Sequence, residues 1–302
     1  MVEMTVFTAT YNRKDKLRRA FESLQAQTCK DFEWLIIDDG STDGTGDIIL
    51  ELKKIADFEI RYFWKENGGR HTAVNYSYKY LRTTYVITLD SDDELVPNAV
   101  EKAINIWHSL PSHIYDKVWC VSGREVDIYG NMVGMPYPSG INELNRKEKR
   151  KQFLKCEGEK HCCRKVSVLI QYPFPVYPDT KFVSENTVWE KINKEYDQYF
   201  VNEIFGIYHE DSSDSLSKRT HHYKSFYYAG LFYVNEMFDE LLINRTTRKY
   251  IINVSRCALL TGVKYNTVMS SVNKWYKKGL VTLGYPISGL WVLFHLDRRV
   301  KQ

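Results

Sequence analysis

Several familiar signatures are missing from this chain. There is no G-x-x-x-x-G-K-[ST] loop and no G-x-G-x-x-G turn, so the usual ATPase and dinucleotide-binding fingerprints are absent. There is no C-x-x-C pair. The six cysteines, at 29, 120, 156, 162, 163 and 257, are spaced too irregularly for a disulfide framework, which points to a reducing compartment. "CEGEKHCC" at 156–163 invites a zinc reading, but adjacent Cys162 and Cys163 would point to opposite faces of a strand. No window reaches the ~18 consecutive apolar residues of a membrane-spanning helix. The opening "MVEMTVFTAT" lacks the basic and apolar regions of a secretory leader and alternates like a strand. These absences predict a cytoplasmic protein, or one peripheral to a membrane. A net charge of +4 is too mild to argue for nucleic acid. No internal repeat or low-complexity tract occurs.

What is present is a strong alternation. With 302 residues the chain can hold one large α/β domain and an accessory piece. Segments 4–10, 32–40, 58–66 and 85–90 read as strands. Segments 14–27, 46–56 and 72–81, and the stretch opened by Pro97, read as helices. Such alternation predicts a mainly parallel sheet flanked by helices, with ligands bound beyond the carboxyl ends of the strands. From about residue 117 the texture changes. A hairpin is expected around Tyr129-Gly130-Asn131, then a strand and short helix, a helix over 181–196 with Ser184 as N-cap, and a strand over 199–210. Residues 221–302 read as mostly helical, with tyrosine and phenylalanine set between basic residues.

Polar clusters follow each of the first four strands. The most unusual is "LDSDDEL" at 89–95. On an extended strand end Asp90 and Asp92 would share a face, and paired carboxylates attract a hard cation such as Mg²⁺ or Mn²⁺. Asp93 and Glu94 are equally explained by the dipole of the following helix. In "DDGSTDGT", 38–45, Asp38 or Asp39 is able to accept a hydrogen bond from a nucleobase, while the glycines permit a tight turn and Ser41 or Thr45 a cap. "TYNR", 10–13, offers the Tyr11 ring for stacking and the Arg13 cation for phosphate. "ENGGRHTAVN", 66–75, supplies two glycines for close backbone approach, then Arg70, His71 and Asn75.

In this order and spacing, the four clusters resemble the family 2 glycosyltransferases, which have the GT-A fold. The resemblance is close over about residues 4–100 and weaker to about 218. It implies an α/β GT-A fold, Rossmann-like, with a mixed, mainly parallel sheet and a helical C-terminal extension. It divides the chain into a catalytic domain at 1–220, whose first half (1–115) binds the nucleotide sugar and whose second (116–220) faces the acceptor, and an extension at 221–302. It implies inverting transfer of a sugar from a nucleotide diphosphate donor, usually UDP-linked, with Mn²⁺ or Mg²⁺. Tyr11 would stack on the base and Asp39 bond it. Arg13 and Arg70 would lie near the phosphates, with Asn75 in the same donor-binding set. Asp90-Ser91-Asp92 matches the D-x-D motif, with Asp92 on the metal, Asp90 on the ribose or the metal shell, and Asp93 near the donor sugar. His209, in "YHEDSSDSLSK", is a further candidate metal or phosphate ligand, on a loop expected to close over the donor.

The inverting reaction needs a carboxylate base. "FVSENTVW", 182–189, keeps Glu185 where relatives carry Glu-Asp but has Asn186 in the second place. Glu185 is the candidate and Asp179 the reserve. An acid in a first helical turn is also explained by the helix dipole. The C-terminal mixture of aromatic and basic residues, with an apolar end at 286–296, suits either a membrane surface or packing on the core or a dimer partner. Bacterial relatives commonly extend lipid-linked glycans at the cytoplasmic membrane face, as in capsule, exopolysaccharide or O-antigen assembly. Two other readings stay open: a nucleotidyltransferase, although its Gly-rich basic signature is missing, and a degenerate transferase serving as an assembly partner, which Asn186 would suit.

Overall fold

The computed structural model describes residues 2–138, 156, 158–177, 180–210, 223–237 and 245–296. The chain divides into two compact units: Met1–Pro173 with Ile192–Ser213, and Phe174–Lys191 with Asp214–Gln302.

The first unit begins with the expected alternation: β1 (Met4–Thr10), α1 (Leu17–Gln25), β2 (Phe32–Asp38), α2 (Thr45–Ile55), β3 (Glu59–Trp64), α3 (Arg70–Ser77) and β4 (Tyr85–Thr88). It continues with β5 (Glu94–Leu95), α4 (Ala99–Ser109), α5 (Ser112–Tyr115), β6 (Val118–Asp127), β7 (Cys162–Lys165) and α6 (Val166–Leu169). After α7 (Asn186–Glu195), which runs across the boundary between the units, β8 (Asp197–Tyr208) closes the set. The eight strands form one sheet in the order β3-β2-β1-β4-β7-β6-β8-β5. Strands β3, β2, β1 and β4 are parallel. Strand β7 is antiparallel to both β4 and β6, β8 is parallel to β6, and β5 is antiparallel to β8. The sheet is thus mixed. Strand order reverses between β1 and β4, which opens a crevice at their carboxyl ends.

The core explains the alternation. Met4, Val6, Trp34, Ile36 and Ile87 from the strands are buried with Leu17, Phe21, Leu24, Ile49 and Trp107 from the helices. Each such burial stabilises by roughly 1.5–3 kcal/mol. One charge breaks the apolar run of β2: Glu33 is fully buried. Its carboxylate accepts from Arg61 Nη1 at 2.9 Å, Arg82 Nε at 2.8 Å and Thr5 Oγ1 at 3.1 Å, so the charge is paired and hydrogen-bonded.

Several expectations need correction. β4 ends at Thr88, not 90. Leu89 N–H still donates to Phe7 O at 2.9 Å, and then Asp93 N–H turns back to Asp90 O at 3.1 Å. A turn, not strand pleating, therefore gathers the acids. The expected hairpin at 129–131, by contrast, is present: the chain turns at Gly130, Asp127 N–H donates to Asn131 O at 2.8 Å, Val133 N–H donates to Glu125 O at 2.9 Å, and Val126 bridges Met132. Helix α7 starts at Asn186, five residues beyond the expected start at 181, and Ser184 accepts the Thr187 N–H through its carbonyl oxygen, at 3.1 Å.

In the second unit, α8 (Tyr223–Phe232) runs into a π turn at Tyr233–Met237, followed by α9 (Arg245–Thr261), α10 (Tyr265–Ser271) and α11 (Trp275–Leu296). Its core is Tyr227, Leu231, Val254, Cys257, Val268 and Val281 with their neighbours. The segment that joins this unit from earlier in the chain stacks Tyr177 on Tyr228, ring centroids 3.8 Å apart. Among the described residues, no helix is long and apolar enough to cross a membrane.

Candidate active site

Polar side chains from β1, β2, β3 and β4 meet at the carboxyl ends of the strands. Asp39 sits just past β2, buried, with its N–H donating to Thr10 O at 2.8 Å. Its carboxylate accepts Lys65 Nζ at 2.6 Å, Gly68 N–H at 3.0 Å and Gly69 N–H at 2.7 Å. One carboxylate thus shapes the whole loop between β3 and α3. Gly69 has φ +95°, a conformation that side-chain-bearing residues resist. Gly40 has φ +88°, and a Cβ there would lie 2.8 Å from Asn67 N. Close approach of the two loops requires both glycines.

The loop after β1 is tied the same way. Asn12 adopts a left-handed φ of +51°, which asparagine tolerates. Its N–H donates to Ser41 Oγ at 2.8 Å, and its Oδ1 accepts Thr42 N–H at 2.9 Å. Arg13 N–H donates to Thr45 Oγ1 at 3.1 Å. Ser41 and Thr45 therefore join loops instead of capping α2. The Tyr11 ring is 50 % exposed beside this junction.

Arg70, the first residue of α3, donates from Nη2 to Asp90 Oδ1 at 2.7 Å. This neighbouring guanidinium holds the Asp90 carboxyl below its ordinary range. The Asp90 side chain is half exposed. Ser91 is buried. Asn75 lies one helical turn further along α3. Asp93 is buried and accepts His209 N–H at 2.9 Å. Burial pushes its carboxyl up to about 8 against the pull of that hydrogen bond, helped by the charges of Asp90, Glu125 and Asp92.

His209 is doubly held. Its Nδ1 lies 2.7 Å from Arg19 Nη1 and its Nε2 2.7 Å from Glu94 Oε1. A guanidinium only donates, so Nδ1 accepts and Nε2–H donates to Glu94. Both ring nitrogens are therefore engaged. Arg19 also donates to the carbonyl of Asp92. Asp93 and Glu94, expected to serve the helix dipole, instead fasten the acidic turn to the end of β8.

Among the described residues, no three His, Cys, Asp or Glu side chains form a ready-made metal cage. The donor set still suits a hard ion. Asp90 and Asp92 supply carboxylate oxygens on one turn, closed by the Asp93 N–H to Asp90 O bond at 3.1 Å.

Glu185 belongs to the second unit and immediately precedes α7. Its Oε2 accepts Trp189 Nε1 at 3.2 Å, which orients the carboxylate. Asp179 lies outside the described residues, as does the loop 211–218 beyond His209.

Sequence reading missed three participants. Lys65 stands at the edge of the glycine-rich cluster but was given no role. Arg19 looked like an ordinary helix residue. His161 drew attention only as a zinc candidate, yet its Nδ1 lies 2.7 Å from Glu125 Oε1 in a buried pair beneath Gly206. Their partners are far away in sequence, so no local signal marked them.

A mixed sheet with acids at its switch point is the GT-A architecture. The same fold is seen in S. aureus TarS residues 1–349 in complex with UDP-GlcNAc: TM-score 0.60, 15 % identity, 95 % of this chain and 90 % of that one. The mannosyltransferase PcManGT of Pyrobaculum calidifontis, solved with GDP-Man and Mn²⁺, gives TM-score 0.51 and 13 % identity, over 98 % and 82 % of the two chains. The model of glycosyl transferase family 2 matches residues 5–175, and the chain belongs to that family. A relative in Campylobacter jejuni, GalNAc(5)-diNAcBac-PP-undecaprenol β-1,3-glucosyltransferase, is 28 % identical over 221 residues, covering 72 % of this chain and 68 % of that protein. Matches to uncharacterised glycosyltransferases of Rickettsia cover only 32 %, 15 % and 23 % of those proteins' lengths.

Proposed function

We propose that the protein is an inverting, metal-dependent glycosyltransferase that moves a sugar from a UDP-sugar to a saccharide or lipid-linked saccharide in bacterial surface polysaccharide synthesis. The carrying observation is the Arg70–Asp90 pair at 2.7 Å, set beside the Asp92–Asp93 turn and the loop held by Asp39. Acids for a cation and a base for phosphate stand together at the switch point, beside an exposed ring able to stack on a nucleobase. The Campylobacter relative's lipid-linked acceptor supports the acceptor class, and UDP-GlcNAc in the TarS complex supports the donor class.

In this reading Tyr11 stacks on the base, and Asp39 would accept its N–H by exchanging one of its bonds to Lys65, Asn67, Gly68 or Gly69. Arg13 and Arg70 face the diphosphate. Asn75, Ser91 and Asp93 complete the donor contacts, with Asp93 toward the sugar. Asp92 and Asp90 would hold Mn²⁺ or Mg²⁺, which supplies charge stabilisation for the departing diphosphate. Glu185 takes the proton of the acceptor hydroxyl as that oxygen attacks the anomeric carbon from the face opposite the diphosphate. The C–O bond to the diphosphate breaks, and the new linkage has inverted configuration. No enzyme-bound sugar intermediate is required. His209 would join the metal only by exchanging its bonds to Arg19 and Glu94. The work is done at the inner face of the cytoplasmic membrane.

The test is nucleoside diphosphate release from a panel of nucleotide sugars with Mn²⁺ and lipid-linked acceptors. Release from one UDP-sugar, dependent on acceptor, is expected. Absence of release from every donor would overturn the proposal, and release of inorganic diphosphate from a nucleoside triphosphate would favour a nucleotidyltransferase.

A further inference from the structure

Helix α11 has a buried inner face, for which the fold accounts, and an exposed apolar outer face, for which it does not. Along the inner face, Lys277, Val281, Gly284 and Ser288 recur at helical spacing, and those of them with side chains are fully buried. Ser255 Oγ of α9 donates to Val281 O at 3.0 Å, and Ser288 Oγ donates to Ile252 O at 3.2 Å. A Cβ on Gly284 would lie 2.8 Å from Ser255 Oγ, so the two helices touch closely. Along the outer face stand Trp275, Leu283, Ile287, Leu290 and Leu293, exposed by 84, 69, 56, 59 and 70 %. Five large apolar side chains over five turns, about 27 Å of helix, are left in water.

The charge around this stripe has one sign. Residues 241–296 contain no Asp or Glu, but eight Lys or Arg: 245, 248, 249, 256, 264, 274, 277 and 278. The whole chain carries only +4, so everything outside this segment sums to −4. Lys274, just before α11, and Lys278, on it, flank Trp275 in the sequence. Lys264 adjoins Tyr265, whose hydroxyl is 2.7 Å from Thr282 Oγ1 on the same helix. The chain then continues as Asp297, Arg298, Arg299, Val300 and Lys301, a further net charge of +2.

We propose that the outer face of α11 is a docking surface for an anionic lipid bilayer, on which the helix lies in the plane of the headgroups. An apolar stripe with an aromatic residue, rimmed by cations and free of acids, is the chemistry of interfacial binding. A second copy fits poorly. A two-fold contact through this face would bring two net-positive surfaces together. The inference does not depend on the transferase reading.

The experiment is co-sedimentation of the full chain with vesicles, either of phosphatidylcholine alone or with about a third phosphatidylglycerol. Binding to the anionic vesicles is expected, weakened by high salt. The double variant Leu283→Ser/Leu290→Ser should bind them at least about tenfold more weakly. Lys274→Gln/Lys278→Gln should reduce binding to the anionic vesicles alone. Leu283 and Leu290 are exposed, so circular dichroism and melting of the serine variant should not change. Absence of wild-type binding, or equal binding by the serine variant, would overturn the proposal. So would a lipid-free dimer that the serine variant converts to monomers.

Discussion

The parallel half of the sheet and the helical unit are built on opposite economies of contact. In β1 to β4, polar side chains organise the chain: Asp39 alone engages Lys65, Gly68 and Gly69, and Arg70 reaches Asp90. In the helical unit, contact is made by small and aromatic residues, such as Gly230 against Val254 and the Tyr233–Tyr250 stack at 4.1 Å. The first arrangement fixes charges in place for a ligand. The second needs only shape, and so leaves no motif behind.

The sharpest way to break this contrast is to remove chemistry from each unit in turn. Asp92→Ala should lower nucleoside diphosphate release by about a thousandfold, measured with saturating donor and Mn²⁺. Glu185→Gln should lower transfer by about 10²–10⁴-fold while nucleotide affinity, read by calorimetry, stays within error. Retained activity in that variant would move the base elsewhere. Asp39→Ala strands Lys65 and two backbone N–H groups. It should cost about 3 kcal/mol in denaturant unfolding and weaken nucleotide binding as the loop loosens. Two glycines give the finest comparison. A Cβ at Gly123, in β6, would lie 2.5 Å from the Phe205 ring, so Gly123→Ala should destabilise by about 2 kcal/mol. Gly279, in α11, has nothing within 4 Å, so Gly279→Ala should stabilise by about 0.5–1 kcal/mol. Equal effects at the two positions would mean that the sheet and the helix tolerate added volume alike.

The legible parts of the molecule were those specified locally. Strands β1 to β4 and their helices could be read because each carries its own periodicity, and each loop carries its own glycines and acids. Strand β5 could not be read. Two residues long, it exists because Glu94 and Leu95 pair with Ile207 and Gly206, more than a hundred positions away. A like separation, 116 positions, hid the bond between Asp93 and His209, and 36 positions hid the pairing of Glu125 with His161. The acids of 90–93 were noticed for the right reason, crowded charge, but their arrangement was mistaken for strand pleating when a turn produces it. Family resemblance supplied roles for Tyr11, Asp39 and Glu185 that residue chemistry alone left open.

The path of the chain between its two units bears on how the protein can be cut. It enters the helical unit at Phe174, leaves after Lys191 and returns at Asp214. A gene shortened at residue 213 would still encode every strand of the sheet. It would deprive Tyr177 of its stacking partner Tyr228, and leave an aromatic segment bare in the middle of the polypeptide. A clean donor-binding fragment needs two deletions: the tail, and the 174–191 excursion that carries Glu185. In the proposed reading, with Glu185 as the base, nucleotide capture and sugar transfer would be separable in the gene by an internal excision, not by any single stop codon.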